Sequence, residues 1–174
     1  MNVKFLNPFV EAAYEVLQAE VAIEIARGEL SLEKEAYVTN DVTAIISVVG
    51  LVEGTVFYGM DQRAAVSFAS RMLSEPFEAF NHLAQSGIAE LANVITGRAT
   101  VKLSLSGYEA TISPPTMLIG KGSTISTLDF ARLVVPLQSS IGSIVIHLAL
   151  REGARQLGLA AATMPVPARP SLMR

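Results

Sequence analysis

TAIISVVGLVEGTVFYGM, residues 43–60, decides the fold of this chain. Thr43 to Gly50 is crowded with β-branched side chains and reads as a strand; Thr55 to Met60 reads as another, with Glu53-Gly54 leading into it. Upstream, Leu32 to Thr39 has the same character, separated from Thr43 by an Asn40-Asp41 turn. Successive strands joined by short polar turns predict an antiparallel meander.

Helical patterns lie on both sides of it. Asn7-Pro8 opens the first, with proline near the position where its missing N–H costs nothing. Apolar positions from Phe9 through Ile25 carry it to about Arg27, with Gly28 as the cap. Its glutamates Glu11, Glu15, Glu20 and Glu24 are expected to form a solvated face. Asp61 is an N-cap for a second helix, Gln62 to about Leu73, which Ser74-Glu75-Pro76 breaks. A third runs from about Phe80 to Ser104, before Ser106-Gly107. Short strands follow at Glu109 to Ser113 and from Met117, joined by Pro114-Pro115. Ile125 to Leu137 and Ile141 to Leu150 then close the sheet, the uncharged stretch from Leu133 onward reading as a buried hairpin. The expected architecture is one α+β domain over residues 1–152, a largely antiparallel sheet with long helices packed on one side. The Ala/Pro-rich residues 153–174 lack a periodic apolar face and are expected to be a flexible tail.

Composition narrows the function. The chain of 174 residues has 13 basic and 16 acidic side chains, a net charge of −3 that offers no general attraction for nucleic acid. With no cysteine, thiolate catalysis and thiolate metal sites are excluded. His82 and His147 lie far apart and support neither a triad nor a zinc site; His147, between Ile146 and Leu148, is expected to face solvent or an interface. Gly120-Lys121-Gly122-Ser123 fails as a phosphate loop, because a glycine separates the lysine from the hydroxyl and a strand follows. No secretory signal or lipid-spanning segment is apparent, so a cytoplasmic protein without membrane insertion is expected. Hydrophobic residues make up 51% of the chain, an apolar surplus compatible with a subunit interface.

Within the third helix, Ile88, Leu91 and Ile95, extended by Ala84 and Ala99, form a stripe for the core. Glu90 and Asn93 are neighbours on another face, with Ser86 one turn before and Gly97 one turn after. Such a pair more often serves structure than function. Asn costs several tenths of a kcal/mol relative to Ala within a helix, however, and glycine about 1 kcal/mol, so something local is expected to compensate. Gly97 would let another backbone or a partner protein approach, and an amide both donates and accepts, which suits it to fixing a water.

Four signals occur in order: Asn7-Pro8-Phe9, the Gly50 to Gly54 segment, Ser86-x-x-x-Glu90-x-x-Asn93-x-x-x-Gly97, and Ile112-Ser113-Pro114-Pro115-Thr116. In that order they resemble the CheX branch of the CheC/CheX/FliY family of chemotaxis phosphatases. The resemblance covers nearly all of residues 1–151 and implies hydrolysis of the aspartyl phosphate on a CheY-like receiver domain. It implies that Asn93 holds the attacking water and Glu90 engages the receiver's lysine, with Ser86 and Gly97 in support. It also implies that this chain binds no cofactor, Mg²⁺ being in the partner receiver, and that it forms a homodimer. The first helix has no Asn matched to its glutamates, which favours the CheX type over the two-site branch. The alternative is a non-catalytic CheX-like binding or dimerisation module.

Overall fold

Pro8 stands in the first turn of α1 (Leu6–Val16), which buries Phe9, Ala12, Ala13 and Val16 at helical spacing. The computed structural model describes residues 3–127 and 131–153; of the tail expected to be flexible, residues 154–174 lie outside them. The helix does not run on to Arg27. Leu17–Val21 widens into a π-helical turn, and Ala22 takes a left-handed φ of 53° that turns the chain. Ile25–Arg27 is strand β1, so apolar residues that fit a helical stripe are instead claimed by a sheet edge. Gly28, expected as the cap, donates its N–H to the Pro136 carbonyl at 2.8 Å.

The segment expected as one strand from Leu32 to Thr39 is two, β2 (Ser31–Glu33) and β3 (Tyr37–Val38). The meander forms as β4 (Val42–Gly50) and β5 (Val52–Met60), paired antiparallel from Val42↔Met60 to Val48↔Gly54. Asp61 caps α2 (Gln62–Met72), its carboxylate accepting the Ala64 N–H at 2.7 Å. Then come α3 (His82–Leu105), β6 (Ala110–Ile112), β7 (Thr116–Ile119) and β8 (Thr124–Ile125). The hairpin expected from Leu133 onward is β9 (Arg132–Ser139) and β10 (Gly142–Glu152). β9 starts at Arg132 and not at Ile125, whose strand pairs elsewhere.

The main sheet runs β1-β9-β10-β5-β4-β6, with β2 also on β9 and β7 also on β4, and every pairing among the described residues is antiparallel. The helices lie on one side of it. Alternation supplies the core, since Val42, Ala44, Ile46 and Val48 of β4 join Val56 and Tyr58 of β5 and Ile144, Ile146 and Leu148 of β10 beneath the helices.

The opposite face carries a smaller cluster, Tyr37, Phe57 and Ala149, covered by the two-stranded sheet β3-β8. Thr39 clips this cover down: its hydroxyl donates to the Gly120 carbonyl and accepts the Ser123 N–H. The Gly120-Lys121-Gly122-Ser123 segment is thereby occupied as a turn.

This cover corrects the expectation for His147. Its side chain does point away from the helices, but it is only 8% exposed, edge-on to the Tyr37 ring. Its Nδ1 is buried without a hydrogen-bond partner among the described residues, 4.0 Å from a Glu33 carboxylate oxygen. Burial pushes the imidazole down to about 4 from 6.5; Glu33 opposes the shift and the Arg132 guanidinium reinforces it. The unfolded chain takes up this proton below pH 6.5 and the folded chain only near 4, so the contribution to stability is whole above pH 6.5. It is lost as pH falls across that window, to a total of about 3 kcal/mol. In urea melts at stepped pH, His147→Leu is expected to flatten the slope between those limits.

Candidate functional site

The 24 residues of α3 present the polar pair because the opposite side of the helix is held in the core. At its start the Asn81 side chain accepts the Ala84 N–H at 2.9 Å. Ala84, Ile88, Leu91, Ile95 and Ala99 are all buried, as their spacing predicts. Gly87 lies against α2, where a Cβ would meet Leu73 Cδ1 at 3.1 Å, so its lack of a side chain has a packing reason inside the molecule.

One hydrogen bond fixes the helix's rotation over the sheet. The Tyr58 hydroxyl on β5 meets Thr96 Oγ1 at 2.7 Å, and Thr96 donates onward to the Ala92 carbonyl at 2.7 Å, leaving Tyr58 as the donor to Thr96. Burial holds the Tyr58 phenol far above its usual range, keeping it protonated for that role. Thr96 follows Asn93 by three residues and faces inward, so the bond sets the direction in which Asn93 points. The near-isosteric Thr96→Val would strand a buried phenol and is expected to cost about 1–3 kcal/mol in urea denaturation.

Glu90 is exposed and Asn93 half-buried on the outward face. Neither side chain has a hydrogen-bond or ion-pair partner among the described residues, so both are available to an incoming molecule. Ser86, one turn earlier, is exposed with its hydroxyl bonded to the His82 carbonyl at 3.1 Å. Gly97 is not a place where another backbone of this chain approaches, for a Cβ there would meet only Ile112 Cδ1, at 3.9 Å. The glycine instead floors a shallow depression whose walls include Asn93, Val94, Val101 and Ile112.

At the edge of the depression, which Glu15, Arg98 and Lys102 also line, Glu11 and Glu15 do more than face solvent. Lys102 reaches Glu11 at 3.3 Å and Glu15 at 2.6 Å, and Arg98 reaches Glu15 at 3.4 Å, tying α1 to α3. The bond from Lys102 holds the Glu15 carboxyl below the usual range. Exposed pairs of this kind add little stability, but they occupy the cations next to the site. Among the described residues no three His, Asp or Glu side chains gather into a metal-ligand set. Sequence reasoning missed the Tyr58–Thr96 bond and the walls Val94 and Ile112; the row Asn93, Gly97, Val101 at helical spacing was the signal for the depression.

The family model described as chemotaxis phosphatase CheX matches residues 42–138, more than half of the chain. The chain belongs to the CheX family. It is 25% identical over 157 residues to the CheY-P phosphatase CheX of Thermotoga maritima, covering 88% of this chain and 99% of that one. Its fold is similar to that of a CheC-like superfamily protein from Shewanella sp. PV-4, with a TM-score of 0.78, 29% identity, and coverage of 87% of this chain and 99% of that one. It is likewise similar to a chain in the crystal structure of the CheX–CheY–BeF3–Mg complex from Borrelia burgdorferi, with a TM-score of 0.74, 27% identity and coverage of 87% and 100%. The match to the CheX family thus takes in the meander, α3 with Glu90 and Asn93, and the β6–β7 strands beside it.

Proposed function

We propose that this chain is a phosphatase for the aspartyl phosphate of a CheY-like receiver domain, acting through Glu90 and Asn93. The observation that carries this function is the pairing of a carboxylate and a carboxamide, both unengaged, on the outward face of a helix whose rotation Tyr58 and Thr96 fix. An acyl phosphate has a good leaving group, so its hydrolysis gains chiefly from positioning a water and from balancing charge. The Asn93 carbonyl accepts a hydrogen bond from the water and aims its lone pair at phosphorus, opposite the Asp oxygen. The bond from phosphorus to that oxygen breaks as the water oxygen's forms, the carboxylate departs, and the water's proton passes to the released phosphate. Glu90 pairs with the receiver's active-site lysine and so fixes the docking. The receiver contributes the phosphorylated Asp and Mg²⁺, and this chain adds neither metal nor nucleophile.

The name of the Thermotoga relative and the Borrelia complex with CheY support this choice of substrate. No helix among the described residues is long and apolar enough to cross a membrane. The same function calls for a cytoplasmic chain, where a CheY-like substrate works, and the resemblance to the CheX type together with the apolar composition favours a homodimer.

The test is phosphate release from a receiver phosphorylated with a small-molecule phosphodonor, with and without substoichiometric amounts of the chain. Accelerated release is expected. A receiver that binds but keeps its phosphate lifetime would make the chain a non-catalytic binding module instead.

A further inference from the structure

Gly97 has no explanation within its own molecule. Its backbone is not among those with positive φ, it sits well inside the 24-residue α3, and a methyl there would find ordinary contact with Ile112 and nothing closer. Alanine would therefore fit and would favour the helix. The nearby Val101 and Leu105 are also unexplained, being 62% and 85% exposed on a helix whose other large apolar side chains are mostly buried. Gly97, Val101 and Leu105 share one shallow depression with Asn93, Val94 and Ile112, edged by the ion-paired Glu15, Arg98 and Lys102.

We infer that this depression is the seat on which the receiver docks, with Gly97 kept bare for close approach and Val101 and Leu105 supplying apolar contact. The inference rests on the receiver phosphatase function proposed above and extends it from the reacting groups to the surface that selects the partner. Asn93 is itself a wall of the depression, so a domain that presents a phosphoryl group to Asn93 must cover what lies beside it. From Asn93 to Leu105 the helix advances about 18 Å. A standard protein interface buries about 800 Å² on each partner, a patch about 28 Å across, so a receiver centred near Gly97 covers Asn93, about 6 Å away along the helix, and Val101, and meets Leu105, about 12 Å away, near its rim. The polar pair and the apolar seat then divide the work. Glu90 and Asn93 act on the receiver's active site, and the seat holds the receiver there in either phosphorylation state.

The experiment is steady-state dephosphorylation of a phosphorylated CheY-like receiver by Gly97→Ala, Gly97→Leu and Val101→Asp, beside the parent and Val38→Asp. Val38 is 58% exposed on β3, on the opposite side of the sheet, and serves as the control. Gly97→Leu and Val101→Asp are expected to raise KM about tenfold with kcat unchanged, as loss of uniform binding does. Val38→Asp should leave both constants alone. Gly97→Ala should raise Tm by roughly 2–4 °C, which shows that the native fold does not need the glycine. The inference is overturned if KM stays at the parent's value in both Gly97→Leu and Val101→Asp, or if kcat falls while KM holds. A rise in KM accompanied by a changed particle mass would assign the face to self-association and overturn it too. A parent chain that leaves the phosphate lifetime unchanged defeats the proposed function itself, a result distinct from an active parent with indifferent variants.

Discussion

Asn93→Ala is expected to lower kcat for receiver dephosphorylation on the order of a hundredfold, the scale on which loss of reactant positioning acts. KM should move little, because Glu90 and the surface around Gly97 remain. Stability should move the other way. Asn93 makes no hydrogen bond among the described residues, and alanine is the better helix former, so the variant gains several tenths of a kcal/mol. Lower turnover with equal or higher Tm cannot be mistaken for damage to the fold, and it is the signature of a side chain kept for function against local preference. Glu90→Gln separates the two roles. With its charge removed, pairing to the receiver's lysine weakens, so KM rises while the water in front of Asn93 is still held. Single-turnover phosphate release checks both, and an Asn93→Ala rate equal to the parent's would sink the mechanism.

Much of this arrangement was legible before any coordinates, because local signals sufficed for it. The β-branched runs of residues 43–60, interrupted at Glu53-Gly54, predict β4 and β5, and helical spacing of Ile88, Leu91 and Ile95 sets the buried side of α3 and thereby the outward side of Glu90 and Asn93. What stayed hidden depends on partners distant in sequence. Ile23 and Ile25 continue the stripe of α1 as well as any helical residues, and only the pairing of Ile25–Arg27 with Leu137–Ser139 of β9 turns them into a strand. His147 was placed on the correct side of its strand by alternation, yet alternation says nothing of the β3-β8 cover that buries it. Arg132 is a similar case. A guanidinium 1% exposed is tolerated at the head of an apolar strand because Glu33 and the Glu35 carbonyl come from the other end of the chain to meet it. At the site, spacing showed that Glu90 and Asn93 are neighbours. It did not show that Tyr58 and Thr96 hold their helix, since that requires knowing which strand lies beneath it.

Gly54→Ala is expected to damage the fold severely, and its effect gives a physical reason for Gly50 to Gly54 being part of the family resemblance. Gly54 pairs with both Val48 of β4 and Leu150 of β10, so it sits between two strands and cannot step aside. Its φ of +140° lies where L side chains are strained. A Cβ would overlap the Ala149 carbonyl oxygen outright and lie 3.1 Å from the Leu150 Cα, and both belong to β10, which β9 pairs as far as Leu148. The backbone of a sheet interior cannot retreat as a flexible side chain could, so the methyl must break ladder hydrogen bonds or distort β5. The loss should be on the order of 3–5 kcal/mol, a large part of the stability of a domain this size. Gly107→Ala provides the contrast, because φ there is +84° but nothing lies within 4 Å, leaving only the backbone strain, about 1 kcal/mol. Paired urea melts of the two variants would separate strain from collision. Damage to Gly54→Ala no greater than to Gly107→Ala would mean that the hairpin end of β4 and β5 relaxes freely, and that the glycine of the meander is held by conformation alone.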